Sequence, residues 1–359
     1  AGGFEGANQI SAEAIEAGAL KKRQTCYACP VRCKLVVSVG TPYNVDPIYG
    51  GPEYETQAAL GSFCGVDNLE ALLKANELCN IYGLDTISTG VTIAFAMECF
   101  EHGILTKKDT GGLKLNFGNA DAVLQLIKMI AHKEGFGRVL AEGSARAAQA
   151  LGKGAEEFAM HIKRQEIPMH DPRWKPGMGL GYVLSPTGAD HNHNIHDNVY
   201  ARRIANELNS FGVFEPLPLN DLSADKVRLL YYGSTWQHAL NCLVVCTFIS
   251  FTVQQVVDLV TATTGWPTSA FELMKIGERC VQMARMFNIR EGMSKDEDKL
   301  PARFFTPFPS GPLQGLQIEK EAFEKARDIY YDMVGWDKVT GAPSLGKLKE
   351  LGIEWVSGV

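Results

Sequence analysis

The sequence has no excess of basic residues: 35 Lys and Arg stand against 41 Asp and Glu, a formal net charge of −6. A nucleic-acid-binding surface normally makes a domain basic, so nucleic acid is excluded as the main partner. Long apolar runs are also missing. The nearest approach to a membrane span, residues 239–257, is uncharged but contains Asn241, Thr247, Ser250, Gln254 and Gln255, and it reads as one buried helix. Residues 1–20 show neither a basic start nor a long apolar core, so the expected location is cytoplasmic, with no membrane contact. No GxGxxG follows a strand pattern and no GxxxxGK(S/T) occurs, which disfavours a nicotinamide Rossmann unit and a P-loop. Alternating strand patterns are few, and neither an internal repeat nor a low-complexity segment is visible. With 45% hydrophobic and 21% charged residues the chain is not disordered, collagenous or a coiled-coil rod.

What is present is mostly helical periodicity. The 359 residues predict about two domains. Asp67 is positioned to cap a helix carrying Leu72, Ala75, Cys79 and Tyr82 at steps of three and four, stopped by Gly83. Residues 85–90 (DTISTG) read as a polar turn leading into a buried apolar stretch at 91–100. Further helices are expected at 120–132, 138–151, 199–208, 224–257, 267–287 and 319–334. Residues 166–197 are dense in proline, glycine and histidine; so irregular a segment in a compact fold is usually functional. The domain boundary is placed at its start, giving 1–165 and 166–359. Residues 288–312 form a second irregular stretch.

Nine cysteines, an odd number, in a large chain argue against a disulfide scaffold. Three of them, Cys26, Cys29 and Cys33, form a CxxCxxxC run in which Pro30 discourages a regular helix. Three thiolates in eight residues can wrap one metal centre. A [4Fe–4S] cube needs four ligands, and a local trio plus one remote cysteine supplies them. Zinc stays open, although structural zinc more often shows two CxxC knuckles and no second CxxC exists here. Cys79 and Cys99 fall in apolar helical patterns and read as small hydrophobes. Cys64, before Gly65, is ambiguous.

Other residues carry two readings each. Asp85 is either a helix N-cap or a ligand-binding carboxylate. Glu53 and Glu55, two apart, point to different faces of a helix, so one of them faces a pocket, or both serve a helix start. Asp171 and Arg173 form a buried ion pair or position an anionic ligand. His191, His193 and His196 make an HxHxxH pattern that fits an active-site cluster, a zinc site or a solvated loop.

At the cysteine loop the chain resembles the tungsten- or molybdenum-pterin aldehyde ferredoxin oxidoreductases. The resemblance runs through CYACPVRC (26–33), GPEYETQAALGS (51–62), ANELCNIYGLDTISTG (75–90), AFAMECFEHGIL (94–105), EIPMHDPR (166–173), SPTGADH (185–191), FNIREG (287–292), LPARF (300–304) and YYDMVGWD (330–337). These strings span nearly the whole chain in family order. The implied fold is mainly α, two helical domains of the aldehyde ferredoxin oxidoreductase type. The resemblance places the start of this sequence inside the family pattern, so the family's N-terminal β-sandwich, one side of the bis-pterin pocket, is expected outside it: the sequence is either a two-domain fragment or a split subunit whose partner chain supplies the sandwich.

The resemblance implies roles. Cys26, Cys29 and Cys33 match the clustered ligands of a [4Fe–4S] cluster, and Cys246 matches the fourth, with Cys242 its rival. Asp85 and Ser88 match the first pterin-contacting motif. In the second copy Asn241 stands where the family has an aspartate; it still accepts hydrogen bonds but carries no charge. Asp171, Arg173 and His193 are further cofactor-binding candidates. His191 matches the catalytic histidine, and Glu53 or Glu55 the catalytic glutamate. The implied cofactors are the cluster and a tungsten (or molybdenum) bis-pterin with magnesium bridging the pterin phosphates. The implied partners are ferredoxin, a small aldehyde and further copies of the chain in a homo-oligomer. The implied reaction is aldehyde oxidation to a carboxylic acid. Two alternatives are a non-catalytic iron–sulfur electron-transfer subunit and a family reductase acting on an aromatic or acyl substrate.

Overall fold

The computed structural model describes residues 3–203 and 208–358. The helix expected at 199–208 falls partly on residues 204–207, outside the described residues. Two compact units divide the chain, one ending at Met169 and the other beginning at His170. The division falls four residues beyond the sequence-based boundary because residues 166–167 are tied back into the first unit. The buried Glu166 accepts hydrogen bonds from Ser144 N and Oγ, both at 2.8 Å, and Ile167 N donates to Met160 O.

The first unit contains α1 (Ala12–Gly18), β1 (Leu20–Gln24), β2 (Lys34–Val37), α2 (Tyr54–Leu60), α3 (Leu69–Tyr82), α4 (Thr86–Glu101), α5 (Ala120–His132), α6 (Gly137–Leu140), α7 (Gly143–Leu151), β3 (His161–Ile162) and β4 (Gln165–Glu166). β1 and β2 pair antiparallel with Gln24 opposite Lys34 and Leu20 opposite Val37. This hairpin is seated by Val37, which is buried with Ile15, Ala19, Val45 and Leu73. The main core lies among α2–α5 and α7. α2 and α4 approach closely because Gly90 has no Cβ: one built there would lie 2.6 Å from the Ala59 carbonyl carbon. The same approach joins the two helix starts through a 2.8 Å hydrogen bond between the Thr56 and Thr86 hydroxyls.

The second unit contains α8 (Pro176–Leu184), α9 (Asp197–Tyr200), α10 (Ala224–Cys242), α11 (Val253–Thr264), α12 (Ala270–Arg290), α13 (Lys320–Val334) and α14 (Leu345–Glu350). α10 packs against α8, α12 and α13 and is buried along most of its length. Every residue of α8 is buried. Its first turn is held by Asp197, which accepts from Gly177 N at 3.1 Å and Met178 N at 2.8 Å and pairs with Lys226 at 3.0 Å; Asp197 and Lys226 are both 0% exposed. A buried carboxylate at a helix start meets exposed N–H groups and the positive end of the dipole, and Lys226 supplies the countercharge.

Several sequence-based elements are corrected. Asn68, not Asp67, caps α3: its Oδ1 accepts from Ala71 N at 3.0 Å. The DTIST string is not a turn before a helix but the cap and first turn of α4 itself, with Asp85 Oδ1 accepting from Ser88 N at 2.6 Å. The helix expected over 138–151 is two helices, α6 and α7, with Gly143 at φ +82 starting the second. The segment 166–197, read as irregular, contains α8. Most consequentially, residues 224–257 are not one helix. α10 ends at Cys242, Val244 takes a left-handed φ of 57°, and α11 restarts at Val253 under a Thr252/Gln255 capping box. The uncharged stretch 239–257 is therefore a helix end, a loop and a helix start. Among the described residues no helix is long and apolar enough to cross a membrane.

Candidate active site

The nine residues between β1 and β2 carry Cys26, Cys29 and Cys33. The strand pairing brings the loop ends together, and Cys29 N closes a turn on Cys26 O at 3.0 Å. Ala28 and Arg32 adopt left-handed φ values of 55° and 53°. Cys26 is exposed, Cys29 and Cys33 are half-buried, and all three are free thiols. The contrast with the core is sharp. Cys64, Cys79 and Cys99 are buried, and burial pushes each thiol up to about 12. Cys64 also donates to Ala59 O and Gly90 O, which settles its ambiguity in favour of packing. In the second unit Cys246 is exposed in the loop between α10 and α11. Its rival Cys242 lies in the last turn of α10, beside Cys280, whose thiol is pushed up to about 11 by burial and then by Cys242.

The remaining first-unit candidates sit at helix starts. Glu53 is the exposed N-cap residue of α2, and its side chain makes no capping bond. Glu55, in the first turn of α2, is half-buried, and its Oε2 accepts from Met169 N at 2.8 Å. Tyr54 donates to Met169 O at 3.0 Å, and burial followed by the Glu55 charge raises its hydroxyl above the ordinary tyrosine value. Asp85 is exposed at the start of α4, with Ser88 bound to it.

The second unit assembles a histidine-rich loop around α8. The loop is positioned from below by Asn194, whose amide fills the space that a Cβ on Gly181 would occupy and donates to Met178 O at 3.2 Å. Three imidazoles converge. His170 lies 5.2 Å from His191 and 4.9 Å from His196 between ring centroids, and His191 lies 6.1 Å from His196. Lys175 Nζ, on a residue only 5% exposed, stands 3.2 Å from His170 Nδ1 and 3.3 Å from His196 Nδ1. His193 turns the other way. Its Nε2 is 2.6 Å from Ser185 Oγ, its Nδ1 is 3.6 Å from Asp190, and its ring stacks on His238 at 4.6 Å. The HxHxxH pattern thus splits between two clusters. Sequence reasoning passed over His170 and Lys175. The signal available was a lysine in the otherwise apolar WKPGMGLGY run, a place where only a paired charge is tolerated.

Asp171 and Arg173 bind each other. Arg173 Nε and Nη2 reach the two carboxylate oxygens at 3.1 and 2.8 Å, and the guanidinium lies 3.3 Å above the Phe308 ring. Asn241 is exposed in the last turn of α10.

A cavity of about 20 Å³, room for one water, is lined by Ser185, His193, Ser234, His238 and Tyr330 among others. Burial, reinforced by His193, pulls the His238 imidazole from 6.5 down to about 3, and burial also lowers His193. Between pH 6.5 and 3 the unfolded chain therefore holds the extra proton. Stability is complete above pH 6.5 and declines as pH falls, by about 2 kcal/mol at pH 5 from His238 alone. His238→Gln is expected to flatten this slope in melting curves taken from pH 7 to 5; a variant slope parallel to the wild type removes His238 as its source.

The model of the family described as aldehyde ferredoxin oxidoreductase, domains 2 and 3, matches residues 1–353. The chain belongs to the aldehyde ferredoxin oxidoreductase family. It is 35% identical over 364 residues to a tungsten-containing aldehyde ferredoxin oxidoreductase of Pyrococcus horikoshii and 36% identical over 358 residues to one of Thermococcus kodakarensis. Each comparison covers 98% of this chain and 56% of the relative. It is 30% identical to an aliphatic sulfonate oxidoreductase, WOR-like subunit, of Pyrococcus furiosus, over 93% of this chain and 51% of that protein. The active-site complex BamBC of benzoyl coenzyme A reductase shares the fold, with a TM-score of 0.76 at 22% identity, covering 98% of this chain and 56% of that one. The chain spans about half the length of the curated relatives it matches. Its mainly α fold is that of the family's domains 2 and 3, and tungsten-containing relatives imply a tungsten–pterin cofactor for this family of oxidoreductases.

The residues present fit such groups. Three thiols held outside the core on one hairpin loop are a soft donor set suited to iron. Asp85 and Asn241, exposed at a helix start and a helix end, offer carboxylate and amide oxygens to a ligand's N–H groups.

Proposed function

We propose that this chain is the cluster- and pterin-binding half of an enzyme that oxidises an aldehyde: RCHO + H2O → RCOOH + 2 H⁺ + 2 e⁻. Cys26, Cys29, Cys33 and Cys246 hold a [4Fe–4S] cluster, and Asp85, Ser88 and Asn241 contact the pterin. A tungsten–pterin group held by Asp85, Ser88 and Asn241 would supply a two-electron acceptor, and a [4Fe–4S] cluster held by the four cysteines would supply a one-electron relay toward ferredoxin. The chain's own residues supply placement and electrostatics. His191 donates a hydrogen bond to the aldehyde oxygen, where negative charge grows as water adds. Glu55, oriented by the Met169 N–H, is placed to take the water proton; Glu53, exposed and uncapped, is the weaker choice for that role. Asp171 and Arg173 stiffen the floor of the histidine loop through their mutual pair.

The observation that supports this reading most is the convergence of His191 and His196, from the loop after α8 that carries the family's GADH motif, with His170 from the segment before α8. An electron-transfer module needs no such donor cluster. A second reading, reduction of an aromatic or acyl thioester, draws support from the benzoyl coenzyme A reductase neighbour.

Anaerobic purification of the native enzyme containing this chain is expected to yield iron near about four atoms per chain together with tungsten, and dye-linked oxidation of simple aldehydes. Iron without tungsten and without aldehyde turnover identifies an electron-transfer subunit. Aromatic acyl thioester reduction without aldehyde turnover identifies the reductase.

A further inference from the structure

The hairpin that carries the three clustered cysteines is charged with one sign. Between Glu16 and Asp46 the sequence has five basic residues, Lys21, Lys22, Arg23, Arg32 and Lys34, and no acidic one, although the whole chain has a net charge of −6. Glu16 pairs with Arg23. The other four cations are exposed, and none pairs with a carboxylate among the described residues. Gln24 stands opposite Lys34, and side chains two apart on a strand share a face, so Lys22 and Lys34 lie on one face of the hairpin. Arg32 Nη2 donates to Arg23 O at 3.4 Å, which holds that guanidinium at the base of the loop. Within the loop Tyr27 is 102% exposed, so its ring rests on nothing, and Val31 is exposed as well. We propose that the outer face of this hairpin docks an acidic one-electron carrier protein, with Lys21, Lys22, Arg32 and Lys34 meeting its carboxylates and Tyr27 and Val31 making the apolar contact.

Charge selects the occupant. A second copy of this chain presents the same cations, so two such faces repel one another. Nucleic acid meets a patch of four cations on a chain that is acidic overall, too little to hold a polyanion. An acidic protein gains twice: its field steers it toward this face during encounter, and the exposed aromatic and aliphatic side chains give the docked pair a contact that excludes water. The cations also flank the thiols themselves, since Arg32 and Lys34 are the chain neighbours of Cys33. A carrier seated here lies directly over the cysteine loop, and each encounter moves one electron from the reduced cluster to the oxidised carrier with no bond made or broken. That the carrier is an electron acceptor rests on the proposed cluster; the basic face and its preference for an acidic protein do not.

The test uses the native enzyme containing this chain, purified anaerobically, with an acidic ferredoxin as the probe. Its lysines are acetylated at trace level and read by mass spectrometry. Lys21, Lys22 and Lys34 are expected to react in the enzyme alone and to be protected at least about fivefold once ferredoxin is added, while Lys108, exposed outside the hairpin, keeps its reactivity. Ferredoxin affinity at about 50 mM salt should fall at least about tenfold in Lys21→Glu/Lys22→Glu with iron and tungsten unchanged, hold in Lys21→Arg/Lys22→Arg, and weaken in the wild type as added salt screens the exposed charges. Lysines already unreactive in the enzyme alone show that another part of the enzyme or a second copy covers the face, and loss of iron or tungsten from Lys21→Glu/Lys22→Glu shows that the cations hold the cofactors; either result overturns the proposal. So does ferredoxin binding that ignores both salt and charge reversal. The footprint decides the matter even if the charge-reversed variant does not fold. Neither readout depends on aldehyde turnover, so an enzyme that turns over no aldehyde yet shows the footprint overturns the proposed reaction and leaves the docking face standing.

Discussion

Cys29→Ser is expected to reduce iron from about four atoms per chain to below one, to remove the charge-transfer absorption of the cluster, and to lower dye-linked turnover by more than about a hundredfold. Serine is a hard oxygen donor in place of a soft thiolate, and iron in a sulfide cluster discriminates strongly between them. The position is unforgiving because Cys29 is central to the loop: its N–H closes the turn onto Cys26, and left-handed residues stand directly before Cys29 and Cys33. Non-glycine residues at positive φ cost about 1–3 kcal/mol each and persist where the surroundings over-determine them, as a cluster bound by the proposed ligands would. Cys79→Ala is the control. That thiol is buried in the core, so its loss is expected to lower stability while iron stays full. Cys246→Ser is expected to match Cys29→Ser, and Cys242→Ser to retain iron. The reverse outcome transfers the fourth ligand to Cys242, and full iron in Cys29→Ser ends the cluster assignment.

The grouping of Cys26, Cys29 and Cys33 was legible because it is local: three thiols within eight residues need no tertiary information to be brought onto one hairpin loop. α5 was legible for a similar reason, since Ala122, Val123, Leu126, Ile127 and Ile130 repeat at helical spacing and bury one face. Elements that tertiary contacts create were misread. α8 carries a proline and three glycines, and what makes it a helix is complete burial with Asp197 at its first turn, twenty residues away. α4 begins at Thr86 rather than in the apolar run because Asp85 caps it and Gly90 lets α2 approach. The break after Cys242 has a local sign, the Thr252/Gln255 capping box, but the uncharged run around it suppressed that reading. In the site, spacing grouped His191, His193 and His196, whereas the fold pairs His193 with His238 and gives its place to His170. Sequence separation carries no information about which way a loop side chain turns.

Asp298→Ala is expected to be the most destabilising single change in the second unit, by about 3–5 kcal/mol. Arg285, on α12, is 2% exposed and Asp298 0% exposed. The guanidinium grips both carboxylate oxygens, at 3.0 and 2.7 Å, and donates through Nε to Gly341 O at 2.9 Å. Tyr331 donates to the same carboxylate, and its hydroxyl is raised by burial and then by the Asp298 charge. The guanidinium also lies 4.3 Å from the Trp336 ring centroid, and Trp336 is fixed in turn by Gln282 at 2.7 Å. Removing the carboxylate leaves a full positive charge in a site closed to water, which costs far more than the pair itself contributes. At roughly 2–4 °C per kcal/mol for a unit of this size, the melting temperature should fall by about 6–20 °C. The double variant Arg285→Met/Asp298→Leu separates the two terms, because it deletes both charges and leaves apolar bulk. It should recover most of the lost stability if desolvated charge dominates. A double variant as unstable as Asp298→Ala would instead place the energy in the contacts to Gly341, Tyr331 and Trp336, making the network a packing element rather than an electrostatic one.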